Sequence, residues 1–152
     1  MKLATYSVGG QTHLGAVVAD DKIVVELAAA DRALARQEGR KSHPFFTDML
    51  TLLEAGSKGR SAAKKAAAYG EERLGKNAKP NGKTSHLVSK VKLRAPMPNP
   101  RAVFALAGNY QDHIEEGGGK IALQDKETPR VFMKPPATTV IGPGDAILIP
   151  PI

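Results

Sequence analysis

The sequence has no cysteine and no tryptophan, and aromatic residues make up only 5% of its 152 residues. The lack of cysteine excludes disulfides, thiolate zinc sites and a cysteine nucleophile, and it suits the reducing cytoplasm in which we expect the protein. No apolar run reaches the roughly 20 residues that a membrane-spanning helix needs. The first residues alternate in character like a strand and do not resemble a signal peptide, so we expect no membrane association.

The length of 152 residues predicts one domain or two small ones. A chain of this size can bury about two-thirds of its unfolded surface, which is enough for a real core. Strand-like and helical segments both occur along the chain, and together they predict the α+β class.

Positive charge is concentrated in the middle of the chain. The net charge is +7, and residues 57–94 alone carry eleven Lys or Arg and two Glu. A basic segment of this kind can bind nucleic acid. Because no aromatic-studded basic pattern accompanies the charge, Tyr69 being the single aromatic residue in this segment, we favour a solvated, lysine-rich helix and loop, with a nucleic-acid-binding module as the alternative.

Residues 1–94 are predicted to form a small antiparallel sheet with helices. Gly9-Gly10 is typical of a tight hairpin turn between the first two strands. Asp31 and Thr47 are residues that often begin helices, and Gly56 is a typical helix stop. The expected strands are Leu3–Val8, Thr12–Val18 and Lys22–Leu27, and the expected helices are Asp31–Glu38, one capped by Thr47, and Ala62–Leu74.

Residues 95–100 hold three prolines and are interpreted as a linker, since proline fits neither a helix interior nor a central strand. This places a domain boundary between residues 1–94 and residues 101–152. The second segment looks like the beginning of a mostly-β domain. Its expected strands are Ala102–Ala107, Arg130–Lys134, Thr138–Ile141 and Ala146–Ile149, the last two flanking a turn at Gly142–Asp145.

The residues after the first of these strands are the main candidate site. Asn109 can cap a short helix, on which His113 and Glu116 lie three residues apart and therefore share a face. A histidine oriented by a carboxylate can activate water or take a proton. Spacing alone favours an ordinary exposed helix pair instead.

Three motifs in order resemble the fumarylacetoacetate hydrolase family. They are Gly108-Asn109-Tyr110-x-x-His113-x-x-Glu116, Phe132-Met133-Lys134-Pro135-Pro136, and Ile141-Gly142-Pro143-Gly144-Asp145 followed by Ile149-Pro150. The N-terminal hairpin is also similar to the small N-terminal domain of that family. The resemblance covers most of the chain.

The resemblance implies an enzyme that hydrolyses C–C bonds of 2-oxo acids, such as acylpyruvates, or an isomerase, hydratase or decarboxylase of the same family in aromatic catabolism. It implies a β-roll-like catalytic domain, Mg²⁺ (or Mn²⁺) and a homodimer. His113 would be the general base and Glu116 would orient it. Lys134 and Tyr110 would contact the substrate, although Tyr110 by itself favours a packing role. Gly117–Gly119 would be the hinge of a lid.

The family's metal ligands are not found in this sequence, and we expect them downstream of Ile152. Asp125, Glu127 and Asp145 do not match the family's pattern of carboxylates. We therefore expect either an incomplete catalytic domain or a partner chain that completes it, and a non-catalytic fragment is a further alternative.

Overall fold

The computed structural model describes residues 1–74, 79–118, 128–149 and 151. It divides into two compact units, the first made of Met1–Pro98 with Ile141–Ile152 and the second of Asn99–Val140. Both helices and strands are present, so the predicted α+β class is confirmed. No described helix has the length and apolar character required to cross a membrane.

The first unit is built on a five-stranded antiparallel sheet with the strand order β4-β3-β2-β1-β5. Gly9 and Gly10 both have positive φ angles, 56° and 79°, which is what a tight hairpin turn requires. The predicted first hairpin is therefore confirmed. The strands are β1 (Lys2–Val8), β2 (Gln11–Val18), β3 (Ile23–Glu26), β4 (Ser85–Leu87) and β5 (Lys92–Leu93), with a 3-10 turn at Val88–Lys90.

The described part of the first unit has three helices, α1 (Leu27–Gln37), α2 (Met49–Glu54) and α3 (Gly56–Glu72). Helices α1 and α3 pack on the sheet, and α2 packs on α3. Helix α1 begins directly after β3 and not at Asp31, because the Asp31 carboxylate binds residues beyond the helix end and caps nothing. Gly56 has a φ of 59° and ends α2 as predicted, but α3 starts at once, several residues before the predicted start.

Asp48, and not Thr47, caps helix α2. Its carboxylate accepts a hydrogen bond from the Thr51 backbone N–H at 2.9 Å. We expect Asp48→Ala to lower the free energy of unfolding by about 1 kcal/mol, the usual cost of losing a cap. Thr47→Ala is the control, because its hydroxyl contacts only the Asp48 side chain. Urea unfolding of both variants checks this, and a larger loss in Thr47→Ala would contradict it.

Helix α3 turns a stripe of small residues toward the sheet and α1. Its buried residues are Gly59, Ala62, Ala63, Ala66, Ala67 and Gly70. A Cβ placed on Gly70 would lie 2.3 Å from Cγ1 of Val25. The backbone of α3 therefore approaches β3 so closely that only a glycine fits at this position. Lys64 and Lys65 lie on the opposite, exposed side, as predicted.

The described residues of the second unit form a hairpin and two very short helices. Strands β6 (Val103–Leu106) and β7 (Val131–Lys134) pair antiparallel. Helix α4 spans Gln111–Glu116, and α5 is a single turn at Pro136–Thr139.

Two predicted strands after β7 are wrong. The Thr139 hydroxyl and the Thr138 N–H both donate to the Pro135 carbonyl, which holds that segment as a helical turn. Residues 146–149 also form no strand. The turn between them is confirmed, since the Asp145 N–H donates to the Gly142 carbonyl at 3.1 Å.

Candidate active site

Helix α4 follows β6 through a turn at Gly108, whose φ is 64°. Glycine adopts this left-handed conformation without the steric cost that a Cβ brings. Tyr110 is the residue at the helix N-terminus and its side chain makes no capping hydrogen bond, so the prediction that Asn109 caps the helix is wrong. Gly118, with a φ of 71°, follows the helix, while Gly119 of the predicted hinge lies outside the described residues.

The His113 and Glu116 side chains share one face of α4. Nδ1 of His113 lies 3.8 Å from Oε2 of Glu116, and the two side chains are 74% and 79% exposed. This is close enough for an ion pair with a protonated imidazole but too long for a hydrogen bond. The neighbouring Glu115 is bonded instead to Gln111, at 3.0 Å. In solvent a pair such as His113 and Glu116 contributes only a few tenths of a kcal/mol.

The hairpin register separates Lys134 from this pair. Lys134 pairs with Val103 at one end of the ladder, whereas α4 follows the other end, where Leu106 pairs with Val131. Three residues of strand correspond to about 10 Å. The described contact of the Lys134 ammonium is with the ring of Phe132, 6.0 Å from its centroid.

Tyr110 lies one helical turn before His113 and is 73% exposed. Its backbone carbonyl accepts the Ile114 N–H at 3.2 Å, which anchors the first turn of α4. An exposed phenol at the start of α4 is open to a substrate, and no packing contact of its ring is described.

The second unit exposes large apolar side chains on both faces of its hairpin. Phe104, Val131 and Met133 share one face and are 64%, 56% and 71% exposed, and Phe132 on the other face is 45% exposed. In water an isolated two-stranded sheet of this kind is only marginally stable.

No described residues form a metal centre. Across residues 1–74, 79–118, 128–149 and 151, no three His, Asp or Glu side chains are placed to share an ion. The Asp145 carboxylate is already bonded to Lys92 at 2.6 Å and to the Gly142 N–H at 2.9 Å. The Lys92 ammonium, followed by that N–H, holds the pKa of Asp145 below its usual value. Asp125 and Glu127 lie outside the described residues.

The structure reveals two other histidine–carboxylate pairs, both in the first unit, that sequence reasoning missed. Nδ1 of His43 lies 2.9 Å from Asp31, which is almost fully buried, and Nδ1 of His13 lies 3.4 Å from Glu26. No local spacing signals these pairs, because one joins adjacent strands and the other joins a helix to the loop after it.

The chain is similar to two curated proteins, and no protein-family model matches it. One is oxaloacetate tautomerase YisK of Bacillus subtilis (strain 168), 30% identical over 151 residues, which cover 97% of this chain and 45% of that protein. The other is uncharacterized protein PH0643 of Pyrococcus horikoshii, 41% identical over 51 residues, 34% of this chain and 20% of that protein. The chain thus spans less than half the length of either relative.

Proposed function

We propose that this chain is part of an enzyme of the fumarylacetoacetate hydrolase family that acts on 2-oxo acids. The observation that carries the proposal is the similarity to an oxaloacetate tautomerase over 97% of the chain, which must include residues 108–145 with the ordered motifs. The small α+β unit followed by a strand, a short helix and a second strand also agrees with the expected order of elements.

Within this class we propose keto–enol tautomerisation of a 2-oxo acid as the reaction, with C–C bond hydrolysis as the alternative. Tautomerisation moves one proton between the enol oxygen and the carbon next to the C–O carbon. Unlike hydrolysis, it consumes no water. An imidazole can take the proton from the oxygen and return one to the carbon, so that it ends unchanged.

His113 is proposed as this acid–base group. Its Nδ1 faces Glu116, so Nε2 is the ring nitrogen left for the substrate. Since both side chains are exposed, the pair would gain strength when a substrate or a covering segment excludes water from it. Lys134 and Tyr110 remain proposed contacts for the substrate carboxylate and enolate, and the ladder position of Lys134 favours Tyr110 as the nearer of the two to His113.

The resemblance also implies Mg²⁺. The donor sets that the structure describes do not fit such an ion, and we therefore derive no step through it. A homodimer and a cytoplasmic location complete the proposal.

The proposed role of His113 can be tested with variants of neighbouring residues on α4. In the protein as its gene encodes it, we expect His113→Ala to lower kcat for oxaloacetate tautomerisation by about a hundredfold, as is usual for loss of a general acid–base group. The ultraviolet absorbance of the enol follows the reaction. Glu116→Gln should lower kcat to a smaller extent, because it removes orientation of the imidazole and not the imidazole itself.

Glu115→Gln is the matched control. It removes the same charge from the next position of the same helix, but its partner is Gln111. Its kcat should stay close to that of the unmodified protein. Unchanged turnover in His113→Ala, or equal losses in the two glutamate variants, would refute the proposed dyad.

A further inference from the structure

The first unit contains a cavity lined by none of the residues proposed for catalysis. Its volume is about 380 Å³, and it lies between β2, the start of α1 and residues 42–47. This volume is within the range of small-molecule sites. Because His113, Glu116, Lys134 and Tyr110 are all absent from its walls, a ligand bound there would not depend on the proposed activity.

The walls of the cavity combine apolar and polar side chains. Leu14 and Phe46, both buried, supply apolar surface. The hydroxyls of Thr12 and Ser42 and the guanidinium of Arg32 supply hydrogen-bond donors. A ligand that fits such walls has an apolar body and one polar end.

Arg32 can bind an anion at this site. Its side chain is 56% exposed, and its described ion pair, to Oε1 of Glu26, is 3.7 Å long. That is beyond hydrogen-bonding distance, so the fork of guanidinium N–H groups is open to a better-placed partner. A carboxylate is the group that matches two of these donors at once.

The negative charge of Glu26 already has partners within the protein, so the ligand need not carry a positive group. Its side chain is 12% exposed, with Oε1 facing Arg32 and Oε2 3.4 Å from Nδ1 of His13. The His13 ring is in turn stacked on Tyr6, 5.5 Å between centroids, which fixes it beside Glu26. The carboxylate is therefore balanced from two sides.

The two imidazoles that line the cavity each have one nitrogen left for a ligand. Nδ1 of His43 lies 2.9 Å from Oδ1 of Asp31, and the backbone N–H of His43 donates to the other oxygen of that carboxylate at 2.6 Å. Because an ionised carboxylate only accepts, Nδ1 is the donor of this hydrogen bond and Nε2 is the ring nitrogen left for a ligand. Nδ1 of His13 lies 3.4 Å from Glu26, and Nε2 is likewise the ring nitrogen that does not face the carboxylate.

We propose that this cavity binds a small organic carboxylate whose carboxyl group pairs with Arg32 and whose apolar body lies on Leu14 and Phe46. The carboxylate joins Glu26 as a second partner of Arg32, and the hydroxyls of Thr12 and Ser42 and the two histidines that line the cavity select among ligands. The binding needs no group from the second unit.

Benzoate is a suitable probe because it combines one carboxylate with an apolar ring, and benzamide is its neutral counterpart. The ¹⁵N-labelled full chain is titrated with each, and the backbone amide shifts are followed by NMR. We expect saturable shifts with benzoate at residues 12–14, 26–32 and 42–47, and much weaker shifts with benzamide. Arg32→Gln should weaken benzoate binding about tenfold or more, as expected for loss of a charge-assisted, bidentate pair.

Arg36→Gln is the matched control. Arg36 is an exposed arginine one turn further along the same helix and does not line the cavity. It removes the same charge, so a general electrostatic effect would weaken binding equally in both variants. Because both side chains are exposed, both variants should stay folded. The amide shifts of residues distant from the cavity should therefore match those of the unmodified protein. Equal weakening in the two variants, equal binding of benzamide, or no saturable shift with benzoate would each overturn the proposal.

Discussion

Replacing Asp31 with alanine is expected to lower the free energy of unfolding by about 3 to 4 kcal/mol, since it leaves charged partners of a buried carboxylate unpaired. Asp31 is 1% exposed and accepts hydrogen bonds from Arg40 at 2.9 Å, from the His43 N–H at 2.6 Å and from the His43 ring at 2.9 Å. Through them it ties α1 to the loop that leads to α2. Urea unfolding at neutral pH measures the loss.

Glu38→Ala is the control for this variant. Glu38 also pairs with Arg40, but in an exposed position, so its removal should change the stability only slightly. A loss in Asp31→Ala no larger than in Glu38→Ala would contradict the assignment of Asp31 as the centre of this network.

The stabilisation by Asp31 should depend on pH in one direction. Burial alone would raise the pKa of Asp31, but the hydrogen bonds from His43 and Arg40 outweigh it and hold this pKa below the usual 3.8. A depressed pKa in the folded state means that the stabilisation is complete above the unfolded-state pKa and is lost as the pH falls through the folded-state pKa. The stability difference between the unmodified protein and Asp31→Ala should therefore shrink in acid, and a difference that grows there would contradict this reasoning.

Replacing Gly70 with valine is expected to cost about 3 kcal/mol, near the upper end of what overpacking a core costs. The added Cβ alone would lie 2.3 Å from Cγ1 of Val25, a short and branched side chain that cannot move aside as a flexible one can. Val25 is itself fully buried in β3, so either the helix or the strand must shift. Thermal and urea unfolding report the effect.

Ala68→Val tests whether the clash or the helix preference of valine is responsible. Ala68 lies on the exposed side of the same helix. Helix propensity alone predicts the opposite order, because valine is better than glycine in a helix and worse than alanine. If Ala68→Val destabilised the protein as much as Gly70→Val, close packing of α3 on β3 would not be the reason.

Local patterns in the sequence predicted most of the first unit. Gly9 and Gly10 determine a hairpin because few other residues accept their conformation. The start of α1 was missed because Asp31 resembles a cap, and its true partners, nine and twelve residues further on, are reached only in the folded chain. The helical turn after Pro135 was missed because residues 138–141 are all β-branched, which favours a strand.

In the candidate site, too, the sequence predicted the contacts within one helical turn and missed those that depend on the folded chain. That His113 and Glu116 share a face follows from helical periodicity, which acts over one turn and is visible in the sequence. The pairs formed by His13 and His43 depend on strand register and on the path of a loop, and no local pattern encodes either. The 30% identity to an oxaloacetate tautomerase suggests which type of reaction to test, and neither helical periodicity nor packing indicates this.

Buried side chains are confined to one part of the described chain. None of the described residues beyond Ala95 is buried, so the heat absorbed on unfolding arises almost entirely in the first unit. A calorimetric transition would report the unfolding of the sheet and its three helices, and unfolding of the hairpin and α4 would contribute almost no heat to it. A sharp melt therefore says that the scaffold is folded, and it carries almost no information on whether the segment proposed for catalysis is in a working conformation.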